Sequence, residues 1–406
     1  MKVLIIVDDY LPKSIKVAGK MMHELALEFL HSGHMVTVVT PDPDQEESYT
    51  LKDLDRISVL RFRSGRIKNV PKPIRLINEI LLSFRATSAL SHWLQTNPHD
   101  LIVFYSPTIF WSGLVCYLKR IWKSPSYLIL RDFFPQWVID NGIIGKHSVL
   151  AYLFRFFERK LYQSADAIGI QSPANLKWFT KTFPKISNTQ LLYNWASPLD
   201  DFSKDHPVNI REKYNLGDKI IFFYGGNIGH AQDMKNLLVL AERMLSFPKV
   251  QFLFLGAGDE FELVQDTIAN KTLTNCLLLG SVSQDIFSSI LHQIDVGLFT
   301  LHPDHKTHNF PGKILGYMQS GIPILGAVNQ GNDLKNVIEE GNAGLVSLAG
   351  DHDTLYKNAV SMLDLQNRRK MGTNARMLLQ STFSVATTVE KIVSLMKNEN
   401  GKKILR

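Results

Sequence analysis

Residues 220–226 read IIFFYGG, and the chain continues as NIGHAQDMKN through residue 236. The apolar run is typical of a strand buried on both faces, and the glycines after it indicate a tight turn into a helix. The chain opens in the same way, because residues 2–7 read KVLIIV and a loop then leads to a helix beyond Gly19. The restart of this pattern predicts two domains of one architecture.

Strands and helices alternate through both halves, which predicts α/β domains with doubly wound, Rossmann-like parallel sheets. In the first half we predict strands at 2–7, 34–40, 57–62, 101–105, 127–131, 167–172 and 190–194, and helices at 20–32, 74–95, 108–122 and 147–163. In the second half we predict strands at 220–226, 251–258, 276–281, 296–301, 323–327 and 344–348, and helices at 232–246, 284–292, 312–320, 333–340, 352–364, 367–380 and 384–399. A polar linker at 201–209 separates the halves.

Composition excludes several classes of protein. The 406 residues are 45% hydrophobic and 20% charged, as in ordinary globular proteins. The two cysteines, Cys116 and Cys276, exclude a disulfide scaffold and a thiolate zinc site, and they fit a reducing compartment. Asp8 and Asp9 end the first apolar run too early for a signal peptide. The uncharged residues 101–118 approach the length of a membrane span, but Pro107 favours a strand, a turn and a helix.

The net charge of +7 lies in the first 200 residues, which contain 24 Lys and Arg against 17 Asp and Glu. Within them, residues 56–85 contain eight basic side chains and one acidic side chain. Such a segment indicates an anionic partner: phospholipid, nucleic acid or a phosphorylated substrate. No helix-turn-helix, RNP or zinc motif supports nucleic acid. We therefore expect an anionic membrane surface, contacted through Arg66, Lys68 and Lys72 among others, with buried core as the alternative explanation for the apolar residues between them.

The polar residues of interest follow the strands, where doubly wound sheets bind ligands. After strand 220–226, Gly226, Asn227 and Gly229 could cradle a diphosphate with backbone N–H groups, although any tight turn favours glycine. The absence of a GxGxxG pattern argues against a nicotinamide dehydrogenase.

After strand 296–301 comes the densest polar cluster in the chain, HPDHKTHNFPGK at 302–313. Its histidines and Asp304 could suggest a metal, but a loop does not hold two histidines rigidly. Gly312 and Lys313 at a helix start are better suited to phosphate, with N–H groups and a point charge together.

Two places in the first half could also bind a ligand or contribute catalytic groups. Gly19, before the first helix, allows close approach of an anionic group, or it is part of a plain strand–helix connection. Arg131 and Asp132 follow the strand at 127–131, where catalytic groups occur in this fold class, or they form a structural ion pair.

Together, YGGNIGHAQDMKNLL, FLGAGDE and HNFPGKILGYMQSGIPILGAVNQGNDL resemble glycosyltransferase family 4, retaining enzymes with the two-domain GT-B fold. The last stretch is most similar to the L-fucosaminyltransferases of bacterial O-antigen and capsule loci. The resemblance implies an acceptor domain at 1–198, joined by a C-terminal helix within 384–406, and a nucleotide-sugar domain at 199–383.

The resemblance also implies roles for single residues. Gly19, Asn227, Gly229 and Lys313 correspond to the family's contacts with the donor. The family's two glutamates, separated by seven residues, are replaced by His308 and Gly316, which we place in the donor site with Gly226, Asn309 and Gly312. The family's catalytic histidine is also absent, and Arg131 and Asp132 occupy that strand end. We expect Asp132 to lie nearest the acceptor hydroxyl.

The expected activity is transfer of an N-acetylated deoxyhexosamine, with L-FucNAc as the candidate sugar, from a UDP-sugar to a lipid-linked sugar of the undecaprenyl-diphosphate type. We expect no cofactor and no metal, because backbone N–H groups and Lys313 can stabilise the leaving diphosphate. The expected location is the cytoplasm, peripheral on the inner face of the membrane. The alternatives are a UDP-sugar 2-epimerase, which would need buried carboxylates near the sugar, and a non-enzymatic nucleotide-binding module.

Overall fold

The computed structural model describes residues 1–14, 17–67, 70–140, 142–197, 208–304 and 310–394. The chain divides into two compact units. Among the described residues, the first contains Met1–Tyr193 and Val385–Ser394, and the second contains Asn194–Ser384. Each unit is an α/β domain around a largely parallel sheet, which confirms the predicted fold class.

The first unit begins with alternating strands and helices. Its strands are β1 (Lys2–Ile6), β2 (Met35–Asp42), β3 (Tyr49–Leu54), β4 (Ile57–Arg63), β5 (Leu101–Ser106), β6 (Ser126–Leu130), β7 (Ala167–Ile170) and β8 (Thr189–Leu191). Its helices are α1 (Val17–His31), α2 (Lys72–Ile80), α3 (Leu82–Thr96), α4 (Ser112–Trp122), α5 (Gln136–Asp140), α6 (Val149–Ser164) and α7 (Pro173–Thr182). The described strands form one sheet in the order β3-β4-β2-β1-β5-β6-β7-β8.

The second unit repeats the alternation with fewer strands. The strands are β9 (Ile220–Asn227), β10 (Val250–Ala257), β11 (Cys276–Leu279), β12 (Val296–Thr300), β13 (Ile324–Val328) and β14 (Gly344–Leu348). The helices are α8 (Ile210–Lys213), α9 (Met234–Arg243), α10 (Phe261–Asn270), α11 (Gln284–Leu291), α12 (Lys313–Ser320), α13 (Leu334–Glu340), α14 (His352–Ser361) and α15 (Leu365–Leu378). The described strands pair in parallel in the order β11-β10-β9-β12-β13-β14.

The last described helix, α16 (Val385–Ser394), belongs to the first unit. It packs against α1, and the Lys391 ammonium donates a hydrogen bond to the Leu191 carbonyl at 3.4 Å. The chain therefore leaves the first unit after Tyr193 and returns to it at Val385.

Continuous apolar runs explain the buried strands of both sheets. Side chains of β1 from Val3 to Ile6 are fully buried, as are Phe222 and Tyr224 in β9. The uncharged stretch 101–118 is also core: β5 is buried along its whole length, and Leu114, Val115 and Leu118 of α4 pack beneath the sheet. This confirms the predicted strand, turn and helix. Among the residues that the structure describes, no helix combines the length and apolar character needed to cross a bilayer.

Four details differ from the sequence prediction. β3 is an unpredicted edge strand and pairs antiparallel with β4. The helix predicted at 74–95 is wrong as a single element, because α2 ends at Ile80 and α3 begins at Leu82. α4 begins at Ser112 rather than at residue 108, since residues 107–111 are needed to turn away from β5. The sequence analysis did not predict four further helices, which are α5, α7, α8 and α10.

Candidate active site

In the second unit, the winding of the sheet reverses between β9 and β12. Ligands of doubly wound sheets bind beyond the carboxyl ends of strands at such a switch point. Two segments follow these two strands: the turn after Gly226, and the stretch from His302 to the start of α12. The topology therefore places the turn after Gly226 and the segment that follows β12 at the same switch point.

Two glycines of β9 and β10 come into close backbone contact at this edge. Gly226 pairs in register with Gly256 and has a φ of +125°. A Cβ on Gly256 would lie 1.8 Å from the Gly226 carbonyl oxygen, so no side chain can stand there. A Cβ on Gly258 would likewise lie 2.2 Å from the Ile228 carbonyl oxygen. The glycines of the GAG stretch are therefore required by the backbone itself.

The turn after β9 is tied together by side chains. The Tyr224 hydroxyl donates to the Asn227 carbonyl at 2.5 Å, and the Asn227 amide donates to Gln232 Oε1 at 2.6 Å. Gly229 is packed so closely that a Cβ there would lie 2.5 Å from Asp259 Oδ1. Gly226 and Asn227 remain exposed. The turn is thus a fixed backbone surface that can face a ligand.

Lys313 is the first residue of α12 and reaches back to this turn. Its Nζ lies 3.3 Å from the centroid of the Tyr224 ring and 3.7 Å from the position of a Cβ on Gly226. The Nζ atom is buried and has no hydrogen-bond partner among the described residues. Burial lowers the pKa of the Lys313 ammonium well below its usual 10.5. A buried cation without an acceptor is costly, and an anionic ligand at the turn would supply the acceptor.

The other predicted donor residues are placed less distinctively. Gly312 precedes α12, and a Cβ built on it meets nothing within 4 Å. Gly316 lies inside α12, where a Cβ would be 3.4 Å from Leu291 Cδ1. The backbone does not require glycine at either position. The effect of glycine there is to leave the space of a side chain empty. His308 and Asn309 lie outside the described residues.

Three polar residues beside the turn were not singled out from the sequence as a group. The rings of His230 and His302 have their centroids 4.6 Å apart, and His230 Nδ1 lies 3.5 Å from Glu260 Oε1. Glu260 Oε2 is buried without a hydrogen-bond partner in the described part of the chain. The acidic end of the GAGDE stretch at 256–260 was the sequence feature from which Glu260 could have been predicted as a site residue. These side chains give the edge of the site hydrogen-bonding groups beyond the cradle.

The acidic side chains do not assemble a metal centre within the described ranges, where no three His, Cys, Asp or Glu residues group suitably. The Asp-x-Asp triplet at 42–44 is taken up by ion pairs, Asp42 with Lys13 and Asp44 with Arg66, each at 2.6 Å. Asp304 lies 3.8 Å from His302, and His305 and His308 lie outside those ranges.

In the first unit, Arg131 and Asp132 follow β6 but point to different environments. Arg131 is buried, and its Nη1 and Nη2 donate to the carbonyls of Leu192 at 2.8 Å and Tyr193 at 3.1 Å. Burial lowers the pKa of its guanidinium to about 10. Asp132 keeps contact with solvent, while partial desolvation raises the pKa of its carboxyl and nearby Arg131 opposes that rise. The geometry favours a structural role for Arg131 and leaves Asp132 accessible.

The described residues of the loop between β1 and α1 are held from several sides, and Gly19, which was predicted to precede the first helix, lies inside α1. Arg61 donates to the Leu11 carbonyl at 2.5 Å, and the Ser14 hydroxyl donates to Asp9 Oδ2 at 2.7 Å. Gly19 lies against Ser14, since a Cβ there would be 3.0 Å from the Ser14 hydroxyl. The glycine therefore permits the first turn of α1 to pack closely against this loop, next to the switch point between β1 and β5.

Two of the three predicted membrane residues, Arg66 and Lys72, are exposed. Arg66 is exposed and pairs with Asp44, Lys72 begins α2, and Lys68 lies outside the described residues. Several apolar side chains of α2 and α3 face solvent, among them Ile77 and Phe84, with 58% and 70% of their surface exposed. Leu82 and Ala86, in contrast, are buried in the core. Some apolar residues of this segment are therefore available to a membrane surface, and others are core.

Comparison with known proteins identifies the class. Residues 18–195 match the glycosyl transferase 4-like domain family, and residues 218–364 match the glycosyl transferases group 1 family. The chain therefore contains these two domains in succession and is a member of the glycosyltransferases with the GT-B fold.

Relatives agree with this class. The chain is 25% identical over 404 residues to the probable glycosyltransferase WbjE of Pseudomonas aeruginosa, covering 94% of this chain and 92% of the relative. It is 23% identical over 342 residues to WcaI of Escherichia coli K12, a putative colanic acid biosynthesis glycosyl transferase, covering 79% and 82%.

Solved structures share the fold. WaaG, a glycosyltransferase involved in lipopolysaccharide biosynthesis, superposes with a TM-score of 0.63 at 14% identity, covering 98% of this chain and 100% of that one. Anabaena Alr3699/HepE in complex with UDP-glucose gives 0.64 at 15%, covering 97% and 99%.

Removing the Arg131 guanidinium should destabilise the first unit. Arg131→Met leaves the Leu192 and Tyr193 carbonyls without their buried donor, at a cost of about 3 kcal/mol. Asp132→Asn, at the exposed neighbour, is the matched control and should change stability by less than about 0.5 kcal/mol. Urea unfolding of both variants measures the difference. An Arg131→Met protein as stable as the wild type would contradict the structural role.

Lys313→Met should raise the melting temperature, because it removes a buried cation that has no acceptor. The lowered pKa of Lys313 means that its burial costs stability below the unfolded pKa of 10.5, and this cost disappears as the pH rises above that value. The gain should therefore shrink between neutral pH and about pH 10.5. Thermal scans across this range measure it, and a lower melting temperature at pH 7 would show that Lys313 is structural.

Proposed function

We propose that this glycosyltransferase is a retaining, metal-independent enzyme that transfers an N-acetylated deoxyhexosamine, with L-FucNAc the first candidate, from a UDP-sugar to a lipid-linked sugar. Its product would be an intermediate of O-antigen or capsule polysaccharide. The names of WcaI and WaaG, which refer to colanic acid and lipopolysaccharide biosynthesis, support this type of product. The UDP-glucose in the HepE complex supports the uridine nucleotide.

The observation that carries the proposal is the buried Lys313 ammonium at the glycine turn. Its Nζ has no acceptor among the described residues, and the turn that it faces is an exposed backbone surface. A diphosphate placed there would accept from Lys313 and from backbone N–H groups. These donors would stabilise the charge that grows on the leaving UDP, and loss of one such donor typically costs about 3 kcal/mol.

Retention would follow if the acceptor hydroxyl attacks from the face on which the diphosphate leaves. The leaving phosphate oxygen then accepts the hydroxyl proton, the bond between the anomeric carbon and UDP breaks, and the new glycosidic bond forms on the same face. Asp132 is the accessible carboxylate that we assign to the acceptor hydroxyl. Gly316 would leave the ribose hydroxyls without the contact that a glutamate gives in the family.

The lipid-linked acceptor would be met at the membrane surface by the first unit. Besides α2, helix α6 presents exposed apolar side chains, with Val149 and Tyr152 at 88% and 62% exposure. A groove of about 510 Å³ runs along α6. Its basic lining residues are Lys146, Arg155, Arg159 and Lys160. Exposed apolar and basic side chains on one helix suit an anionic leaflet, where each basic residue contributes about 1 kcal/mol.

Release of UDP from a panel of UDP-N-acetyl-deoxyhexosamines, with and without a polyprenyl-diphosphate-linked sugar, tests the transfer. We expect release that depends on the acceptor, persists in EDTA, and falls at least tenfold in Lys313→Ala. The anomeric configuration of the product, read by NMR, should match the donor.

Loss of activity in EDTA with recovery on adding magnesium or manganese would overturn metal independence and direct attention to Asp304 and the neighbouring histidines. Isomerisation of the sugar without acceptor would instead identify an epimerase. Lys313→Ala with wild-type turnover would remove this lysine from the site.

Vesicle sedimentation tests the membrane surface. The protein should bind anionic vesicles in a salt-sensitive manner and neutral vesicles less. Replacing Lys146, Arg159 and Lys160 with glutamate should release it, as should the same change at Arg66, Lys68 and Lys72. The matched control reverses three exposed lysines on and after α7, which are Lys177, Lys181 and Lys185. Equal release of the control variant would show that binding depends on net charge and not on the proposed surface. Wild-type protein that stays in the supernatant at low salt would refute the proposal.

A further inference from the structure

Tyr224 contacts both parts of the candidate phosphate cradle. Its ring face lies 3.3 Å from the Lys313 ammonium, measured to the ring centroid. Its hydroxyl donates to the Asn227 carbonyl in the glycine turn at 2.5 Å. The side chain is completely buried within β9, three residues before the strand ends, and is part of the core beneath the sheet. One rigid residue therefore joins the cation to the backbone that it faces.

An aromatic partner has a different consequence for Lys313 from that of a carboxylate. A carboxylate at hydrogen-bond distance would neutralise the ammonium and would compete with a phosphate for its N–H groups. The ring attracts the cation through its quadrupole but contributes no charge and accepts no strong hydrogen bond. Lys313 has no ion pair among the described residues, so no carboxylate there competes with a phosphate for its N–H groups.

We propose that Tyr224 is a positioning residue of the donor site: its ring holds the Lys313 ammonium against the glycine turn, and its hydroxyl holds the turn. The inference rests on the proposed binding of a nucleoside diphosphate at this turn. Tyr224 itself need not touch the nucleotide. Its effect reaches the diphosphate through Lys313, and so it should disappear when Lys313 is absent.

The two contacts of Tyr224 can be separated by substitution. Tyr224→Phe keeps the ring and loses the hydrogen bond to Asn227, whereas Tyr224→Leu loses both. Fluorinated phenylalanines at position 224 keep the shape of the ring while each fluorine weakens its attraction for a cation. A purely structural role responds to volume and not to the electron density of the ring.

Calorimetric binding of UDP and of uridine is the measurement, because the ratio of the two dissociation constants isolates the diphosphate. A desolvated cation–π contact is equivalent to about 30-fold in affinity. We expect Tyr224→Leu to lower UDP affinity by about that factor and to leave uridine affinity unchanged. Tyr224→Phe should retain most of the UDP affinity, and one, two and three fluorines should lower it stepwise.

Combining Tyr224→Leu with Lys313→Ala completes a double-mutant cycle. We expect the double variant to bind UDP no more weakly than Lys313→Ala alone. Additive losses, or a flat fluorine series in folded protein that still discriminates UDP from uridine, would overturn the role of Tyr224 while leaving the donor site intact. Wild-type protein that binds UDP no better than uridine would overturn the donor site, and the positioning role with it. If Tyr224→Leu does not fold, the fluorine series alone decides.

Discussion

The approach of the Gly226 carbonyl to Gly256 is the constraint on which the candidate site of the second unit depends. It allows β9 and β10 to remain paired to their last residues, Asn227 and Ala257. The turn that follows is therefore fixed by the sheet. Lys313 can then be buried against Tyr224 and the turn without a carboxylate partner. The free energy that its desolvation costs is offset by the hydrophobic packing of the rest of the domain.

Most of the fold was predictable because its strands are buried on both faces and so appear as continuous apolar runs. β3 was missed because its residues are half-exposed and its charged Lys52 and Asp53 break any apolar pattern. The apolar positions of α2 and α3 continue at one spacing across Leu81, so periodicity alone joined two helices that the backbone separates. Short α5 has only one buried residue, Val138, which is too little for a periodic signal.

The location of the candidate site was predictable from the sequence, because strand ends and glycine-rich turns can be recognised there. Topology does bring the turn after β9 and the start of α12 to one switch point. What the sequence could not reveal is direction: Arg131 and Asp132 are neighbours, but one side chain enters the core and the other does not. Nor could it distinguish Tyr224 from other core aromatics, because its importance lies in the single cation placed over its ring.

The path of the chain between the units has a consequence for synthesis. The second unit is one uninterrupted segment, whereas the first is built from segments that precede and follow it in the chain. During synthesis, α1 therefore cannot pack against α16 until the whole second unit has been made, and its partner surface stays uncovered in the meantime. Where the chain crosses out and back, the Ala196 amide donates to the Phe383 carbonyl at 3.0 Å. A nascent chain that stops short of α16 would thus release a complete second unit attached to an unfinished first one.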